Sequence, residues 1–325
     1  MTVEKKMKGL NLSREYFETY IEQLLQAVPE ADGRIAAGLV GEGSQCFGFD
    51  DEISQDHDFG PGFCIWLTDE DFDQFAEALQ QAYLRLPDEF LGFSRQNLLV
   101  QDRVGVMKIS EFYHRFTGAC FGAPESNLDW LFTPEHQLAS ATNGAVFRDD
   151  LGLFSKIRQE LLKFYPEDVR LKKIAARAAV MSQAGQYNLL RSIKRGDTVA
   201  ATLSLSRFIE AAISMVYLLD KKYMPFYKWS FHGLGIEANS QLAVEISPLI
   251  KRLVAIPATL AKEDFATAHD LAFQLTEEIC TAISKELNRQ GLSHIASPFL
   301  QDHLEEIMSK IVDPQIRKLP PMFDC

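Results

Sequence analysis

The sequence predicts an α+β protein, with a small mixed sheet and its helices in residues 1–150 and an all-α helical bundle in residues 151–325. In the first part, short apolar stretches alternate with stretches of helical periodicity. After Asp150, proline and glycine become sparse and long helical periodicity takes over. A length of 325 residues also exceeds the usual size of one domain, which favours two.

The first domain opens with a helix and a strand. Ser13 is the predicted N-cap of this helix. Its apolar face contains Tyr16, Phe17, Tyr20, Ile21, Leu24 and Leu25. Residues 35–40 then predict a short apolar strand that ends in the glycines of "GLVGEGS", and "FCIWL" at residues 63–67 predicts a second, buried strand.

A second helix and a third strand follow. Thr68 is the predicted N-cap of the helix, with Asp71 three residues later. The apolar face of this helix contains Phe72, Phe75, Ala76, Leu79 and Tyr83. "RVGVMKIS" at residues 103–110 predicts the third strand, and the aromatic segment Phe112–Phe116 comes directly after it.

The second half predicts helices throughout. Leu205, Ile209, Ala212, Val216 and Leu219 share one helix face. Two further amphipathic stretches run from Leu260 to Leu287 and from Pro298 to Val312. The "RGD" sequence of residues 195–197 is interpreted as a turn between two helices, because an adhesion motif has no role in a cytosolic chain.

Composition limits the class of partner. The net charge is −12, and the sequence pI is near 5.1. This charge repels the phosphate backbone at long range, which argues against an extended nucleic acid as partner. A local basic patch can still bind a small anion such as a nucleotide.

Cysteine use and hydropathy predict a cytoplasmic protein with no membrane partner. The five cysteines are scattered and odd in number, a pattern typical of a reducing compartment and one that argues against a structural zinc site. The N-terminal residues lack the apolar region of a signal peptide, and no stretch approaches the ~18 apolar residues of a membrane helix.

The segment "GEGSQCFGFDDEISQDHDFGPG", residues 41–62, concentrates the residues that could carry chemistry. On an extended strand, Asp56 and Asp58 would point to the same side and could share a Mg²⁺ ion, which binds carboxylates together with substrate phosphates. A Gly43-Ser44 turn eleven residues earlier allows close backbone approach and supplies N–H groups and one hydroxyl to phosphates. The alternative interpretation is an ordinary polar surface loop.

This spacing of Gly43-Ser44 and Asp56-His57-Asp58 resembles the signature of the DNA polymerase beta-type nucleotidyltransferase superfamily, which includes the aminoglycoside and lincosamide nucleotidyltransferases. The segment looks closer still to a bacterial family of uncharacterised nucleotidyltransferase-like proteins with GS and then S-x-D-H-D-x-G-P. Later landmarks of that family resemble "TNGAVFRDDLGLF", "FYPEDV", "RSIKRGD" and "YMPFYKW". The likeness covers most of residues 30 to 230.

The resemblance implies a small mixed-sheet nucleotidyltransferase domain followed by the helical domain. It implies that Gly43 and Ser44 hold the triphosphate and that Asp56 and Asp58 bind the catalytic metals, with Mg²⁺ as the cofactor. In the general superfamily an apolar strand continues after the acids, whereas this chain has a Gly-Pro-Gly turn at residues 60–62, in agreement with the narrower family.

The superfamily also has a third carboxylate, on a later strand, that acts as the base toward the acceptor hydroxyl. In this chain the third strand carries Met107 and Lys108 where an acid is expected. The nearest acids are Asp102 and Glu111, and the sequence does not choose between them.

An acidic protein that binds a triphosphate needs positive side chains near it, and members of the superfamily often have such a side chain in the helical domain. The candidates are Arg191, Arg195 and Lys228, and the alternative for each is a surface ion pair. Tyr227 and Trp229 beside Lys228 could stack on a base, although aromatic side chains more often pack in a core.

Other polar residues receive structural interpretations. His57 would point to the side of the strand opposite the two aspartates. Glu42, Asp50, Asp51 and Glu52 are interpreted as solvated loop charges, and "DVRLKK" at residues 168–173 as a charged helix face.

The sequence therefore predicts a Mg²⁺-dependent transfer of a nucleoside monophosphate, AMP from ATP, to a hydroxyl of an acceptor that it does not identify. The alternative is a nucleotide-binding or interaction protein that has lost the transfer step, which the missing acid on the third strand favours.

Overall fold

A computed structural model describes residues 7–55, 59–95, 103–120, 122–236 and 240–323. The chain divides into two compact units. Unit 1 comprises residues 1–125 and 137–163, and unit 2 comprises residues 126–136 and 164–325. The predicted boundary at residue 150 falls inside unit 1, directly after its last strand.

Unit 1 contains the strands that the structure describes: β1 Ala36–Leu39, β2 Cys64–Leu67, β3 Glu89–Phe90, β4 Phe93–Ser94, β5 Gly105–Lys108 and β6 Ala145–Asp149. A four-stranded sheet has the order β5-β2-β1-β6, and β3 and β4 form a separate hairpin. β1 is antiparallel to both β2 and β6, whereas β2 and β5 are parallel. The prediction of a small mixed sheet is confirmed. Three of its strands lie inside the predicted ranges, but β6 and the hairpin were not predicted.

The α-helices in chain order are α1 Gly9–Ala27, α2 Ser44–Phe47, α3 Asp69–Leu84, α4 Ile109–Thr117, α5 Asn127–Phe132, α6 Glu135–Thr142, α7 Leu153–Leu162, α8 Glu167–Met181, α9 Leu190–Lys194, α10 Thr198–Leu219, α11 Tyr227–Leu234, α12 Gln241–Leu253, α13 Ile256–Leu260, α14 Phe265–Arg289, α15 Leu304–Ser309 and α16 Pro314–Arg317. Single turns of 3₁₀ helix lie at Pro29–Ala31, Ile53–Gln55 and Leu300–His303, and Ser182–Leu189 form a π-helix.

The sheet of unit 1 has apolar partners on both faces, and β2 is buried along its whole length. Because side chains alternate along a strand, Ile65 and Leu67 join a core with α1 and α3, to which Leu24 and Leu79 belong. Trp66 points to the other face, where its ring stacks on Phe154 at 3.9 Å between centroids. This two-sided burial explains why "FCIWL" is a continuous apolar stretch and not an alternating one.

The two predicted helix starts in unit 1 have different outcomes. Thr68 caps α3 as predicted, since its hydroxyl accepts the Asp71 N–H at 3.1 Å. The prediction that Ser13 caps α1 is wrong, because α1 begins at Gly9 and the Ser13 hydroxyl donates to the Gly62 carbonyl at 2.6 Å. Asp50 accepts the Gly9 N–H at 2.9 Å instead.

Asp50 is therefore a buried helix-capping group and not a solvated loop charge. Its side chain is 1% exposed, and the Lys8 ammonium lies 3.9 Å from its Oδ1. A carboxylate at a helix N-terminus accepts a hydrogen bond from an N–H that has no partner inside the helix. Its negative charge also interacts favourably with the positive end of the helix dipole. A carboxylate 41 residues away in the sequence cannot be recognised as a cap from local pattern.

Unit 2 is built around α8 and α10. The C-terminal half of α10, from Ala211 to Leu219, is buried at every position, as expected of a helix that is apolar all round and lies in a core. By length and composition alone α10 could span a membrane, but half of its apolar stretch is buried inside the protein. Gly196 has a φ of 70° and Asp197 caps α10 through the Ala200 N–H at 2.9 Å, so the turn predicted at residues 195–197 is confirmed.

The other predicted helical stretches of unit 2 are interrupted. The stretch 260–287 consists of the end of α13 and most of α14, which Asp264 caps through the Thr267 N–H at 3.1 Å. The stretch 298–312 contains a 3₁₀ turn and the short α15. Among the described residues that follow β6, every regular element is helical.

Arg170, Lys172 and Lys173 of α8 are buried, so the prediction of a charged surface face at residues 168–173 is wrong. Arg170 Nε donates to the carbonyl of Leu218 at 2.9 Å, near the end of α10, and Lys173 Nζ donates to the carbonyl of Leu131 at 3.2 Å, near the end of α5. Lys172 Nζ donates to the carbonyls of Pro320, Pro321 and Phe323 at 2.8, 2.8 and 2.9 Å. Backbone carbonyls at chain and helix ends lack partners within their own helix, so buried cations can satisfy them.

We expect Lys172→Met to lower the free energy of unfolding by about 2–4 kcal/mol, because it leaves carbonyl groups of the C-terminal segment without their donor. A denaturant titration followed by circular dichroism measures this change. Lys262→Met, at an exposed position of the same unit, is the matched control and should change stability by less than about 0.5 kcal/mol. Equal effects of the two substitutions would contradict the role given to Lys172.

Candidate functional site

The register of the sheet brings three chain segments to the same end of the sheet. Gly38 of β1 pairs with Cys64 of β2, and Cys64 pairs with Gly105 of β5. The loop that leaves β1, the turn that enters β2 and the residues that enter β5 therefore lie at the same end of the sheet. Gly43 and Ser44 belong to the first of these segments, and Arg103 belongs to the third.

The loop after β1 is held by the residues that precede β6. Asn143 Oδ1 accepts the Gly41 N–H at 2.9 Å, and Asn143 Nδ2 donates to the Gly41 carbonyl at 2.7 Å. Arg158 Nη1 in turn donates to the Asn143 carbonyl at 2.6 Å. Gly144 lies so close that a Cβ atom there would be 1.9 Å from the Leu39 carbonyl oxygen, which explains the need for glycine. Both groups of the Gly41 backbone are thus fixed by one side chain.

Gly43 and Ser44 form the turn that the sequence predicted. Gly43 has a φ of 111°, a conformation that only glycine adopts without strain, and α2 begins at Ser44. Ser44 is half-buried, and its carbonyl accepts the Phe49 N–H at 2.9 Å. Gly43 and Ser44 are both half-buried, so part of the turn is accessible to a ligand.

The turn that enters β2, residues 60–62, is anchored from several sides. A Cβ atom on Gly60 would lie 2.6 Å from the Ser94 carbonyl oxygen, so the turn packs directly on β4. Arg95 Nε donates to the Pro61 carbonyl at 3.1 Å. The Phe63 N–H donates to the hydroxyl of Tyr83 at 2.9 Å, and burial raises the pKa of Tyr83. The Gly-Pro-Gly sequence therefore gives a close-packed turn directly before β2.

The metal ligands predicted from the sequence, Asp56 and Asp58, lie outside the described residues, as do His57 and Asp102. In the part of the chain that the structure describes, no three His, Cys, Asp or Glu side chains form a group that could hold a metal ion. The Mg²⁺ site consequently stays a prediction from sequence.

Glu111, the other candidate base, lies in the first turn of α4 and is exposed. α4 starts directly after Lys108, and Lys108 pairs with Leu67 at the far end of β2. The Gly43-Ser44 turn follows the opposite end of the sheet, beside Gly105. Lys108 itself lies 3.5 Å from Asp73 and 5.1 Å from the ring centre of Phe72.

The cations predicted to bind a nucleotide belong to unit 2. The Arg191 guanidinium lies 4.5 Å from the ring centre of Tyr187 and bonds its hydroxyl. Arg195 is exposed beside the turn that ends α9. Lys228 is exposed in the first turn of α11, with its ammonium 5.7 Å from the ring centre of Trp229.

Arg103 was missed in the sequence. Its Nη1 atom lies 3.5 Å from the position that a Cβ atom would take on Gly43. Arg103 is the first residue of the strand predicted at residues 103–110, and the sequence contains no local signal that this strand enters the sheet beside the turn after β1. Only the parallel pairing of β2 and β5 makes the two segments neighbours.

Two buried cysteines, Cys46 on α2 and Cys64 on β2, lie at this end of the sheet. Burial raises the pKa of both thiols, and that of Cys64 reaches about 12. Cys64 Sγ donates to the Arg103 carbonyl at 3.1 Å, and Cys46 Sγ donates to the Glu42 carbonyl at 3.4 Å. Cys64 therefore ties the backbone at Arg103 to β2, and Cys46 ties α2 to the loop that precedes it; both thiols act as small buried donors.

Comparison with known proteins gives one match. A family model described as "Domain of unknown function (DUF4037)" matches residues 130–230. This is less than half of the chain; it includes β6, α8 and α10 and leaves out the Gly43-Ser44 turn. No curated protein and no solved structure matches the chain.

We expect Asn143→Asp to lower the free energy of unfolding by about 1–3 kcal/mol, because an oxygen replaces the donor that faces the Gly41 carbonyl. A denaturant titration measures the change. Asn188→Asp makes the same chemical change at an exposed position of unit 2 and should be close to neutral. Wild-type stability of Asn143→Asp would mean that the two hydrogen bonds do not hold the loop.

We expect thiol-reactive reagents at pH 8 to modify Cys120, which is exposed, and to leave Cys46 and Cys64 unmodified until the protein unfolds. The thiolate is the reactive form, and a raised pKa keeps both buried thiols protonated at this pH. Mass spectrometry of a Cys325→Ser variant, with and without denaturant, identifies the modified residues. Rapid modification of Cys64 in the folded protein would contradict the burial of the start of β2.

Proposed function

We propose that this protein is a nucleotidyltransferase that moves a nucleoside monophosphate, AMP from ATP, to a hydroxyl group of an acceptor. The observation that carries the proposal is the turn at Gly43 and Ser44, with its glycine at φ 111° and its approach fixed by Asn143. This is the element to which the superfamily resemblance assigns the triphosphate. The finer description of unit 1 as a nucleotidyltransferase domain and of unit 2 as its helical domain belongs to the same proposal.

The sheet supports the proposal through the placement of its segments. The turn at residues 60–62 follows Asp56 and Asp58 in sequence and is fixed at the same end of the sheet as Gly43. Asp56 and Asp58 are the residues that would hold Mg²⁺, and the ion when bound would offset phosphate charge.

In the proposed reaction, the acceptor hydroxyl forms a bond to the α-phosphorus, and the bond from that phosphorus to its bridging oxygen breaks. Pyrophosphate leaves with the bonding electrons, and the hydroxyl proton passes to a carboxylate base. The protein binds the triphosphate at Gly43 and Ser44 and thereby orients the α-phosphorus toward the acceptor.

We take Asp102 as the base in this proposal. Glu111 follows the end of β5 opposite to the Gly43-Ser44 turn, whereas Asp102 directly precedes Arg103 in the sequence. Arg191, Arg195 and Lys228 stay candidates for nucleotide binding from unit 2. A cytoplasmic location, where ATP and Mg²⁺ are plentiful, belongs to the same proposal.

A second candidate function is nucleotide binding without transfer. Strand β5 consists of Gly105, Val106, Met107 and Lys108, so it carries no carboxylate at the position where the superfamily has its base. A protein with the phosphate turn and without a base would bind Mg²⁺-ATP and leave it intact.

Incubation with ATP labelled at the α-phosphate, Mg²⁺ and a panel of hydroxyl compounds tests the first proposal. We expect labelled product and pyrophosphate with the wild type, and a loss of about 100-fold or more with Asp56→Ala, because a metal ion contributes several kcal/mol to transition-state stabilisation. Glu111→Gln is the matched carboxylate control and should retain transfer, whereas Asp102→Asn should lose it.

Equal labelling by the wild type and Asp56→Ala would refute the assignment. Calorimetry separates the two candidate functions: tight binding of Mg²⁺-ATP with no pyrophosphate released across the whole panel favours the binding protein. Absence of any binding by the wild type would exclude both.

A further inference from the structure

The guanidinium of Arg103 borders the space next to the Gly43-Ser44 turn. Arg103 Nη1 lies 3.5 Å from the position that a Cβ atom would occupy on Gly43. Because glycine has no side chain, the guanidinium and the half-buried backbone of the turn face the same space. Arg103 is half-buried, which leaves part of the residue accessible to a ligand.

The backbone of Arg103 is fixed where β5 enters the sheet. Its carbonyl accepts Cys64 Sγ at 3.1 Å, and two residues later the Gly105 N–H donates to the Phe63 carbonyl at 3.0 Å. The next N–H, of Val106, donates to Gln80 Oε1 at 3.0 Å. The side chain therefore extends toward Gly43 from a rigid strand end and not from a free loop.

The surroundings of the turn are acidic, which bears on the binding of an anion. Glu42, Asp50, Asp51 and Glu52 lie within nine residues of Ser44 in the sequence. The Arg103 charge lies close enough to α2 to oppose the upward shift that burial imposes on the pKa of Cys46. A polyphosphate beside Gly43 needs such a cation to offset the repulsion of these acids.

Arginine is also the cation whose shape suits phosphate. Its planar guanidinium carries five N–H donors in a fixed fork and can contact two phosphate oxygens together. A guanidinium with other partners can therefore still donate to a ligand.

We propose that Arg103 binds the polyphosphate of the nucleoside triphosphate at the Gly43-Ser44 turn. This inference rests on the proposed function, and it assigns to unit 1 a phosphate-binding cation in addition to the candidates Arg191, Arg195 and Lys228 of unit 2. The substrate class is then a nucleotide with more than one phosphate, since the contact is made to the phosphates and not to the base.

Calorimetric titration of the full chain with ATP, AMP and adenosine, each with Mg²⁺, tests the inference. We expect Arg103→Gln to weaken ATP binding about 10- to 100-fold, the range for loss of a charged hydrogen-bonding partner, and to leave adenosine binding unchanged. Arg103→Lys keeps the charge but loses the fork, and it should weaken ATP binding about 3- to 10-fold.

Arg85→Gln is the matched control, because Arg85 is an exposed arginine of the same unit at the end of α3 and should leave ATP binding unchanged. Thermal melting shows whether Arg103→Gln folds. If it does not, Arg103→Lys decides the question, because it should weaken the binding of ATP and not that of adenosine. Wild-type ATP affinity in the folded Arg103 variants overturns this inference and leaves the proposed function standing. Failure of the wild type to bind ATP overturns both.

Discussion

The pair of hydrogen bonds between Asn143 and the backbone of Gly41 determines how the candidate site is built. A loop of glycines after β1 has many accessible conformations, and one amide that satisfies both the N–H and the carbonyl of Gly41 selects among them. The amide can do so because β6 runs antiparallel to β1 and brings residue 143 beside the end of β1. Arg158 then fixes the Asn143 carbonyl, so the support extends to α7. The Gly43-Ser44 turn is thus positioned by residues a hundred positions later in the chain.

The turn that enters β2 is likewise held by residues distant in the sequence. Its three residues have little side chain of their own, and neighbouring elements supply the hydrogen bonds: Ser13 to the Gly62 carbonyl, Arg95 to the Pro61 carbonyl and Tyr83 to the Phe63 N–H. β2 is buried on both faces, which removes water as an alternative partner for its backbone and side chains. Small residues at Gly38, Gly60 and Gly144 permit the close approaches that this packing needs. The candidate site therefore lies at one end of a closely packed core.

Charge is used differently in the two units. In unit 2, the buried cations of α8 satisfy backbone carbonyls at the ends of other elements, a structural role that a net charge of −12 does not reveal. In unit 1, Arg103 is half-buried and faces a glycine turn, a location where a guanidinium can contact an external anion. Asp50, although it lies in an acidic loop, also has a structural role: its carboxylate caps the N-terminus of α1.

The sequence by itself determined the elements whose signals are local. These include three strands of the sheet, the capping of α3 by Thr68, the turn before α10, the glycine turn at residue 43 and the helical character of the second half, because each depends on periodicity or on a residue's own backbone preference. The tertiary structure alone decided what depends on partners distant in sequence: the capping of α1 by Asp50, the burial of Lys172, the clamp of Asn143 on Gly41 and the approach of Arg103 to Gly43. In each of these cases the two groups are 41 or more residues apart in the chain, and only strand order and helix packing make them neighbours.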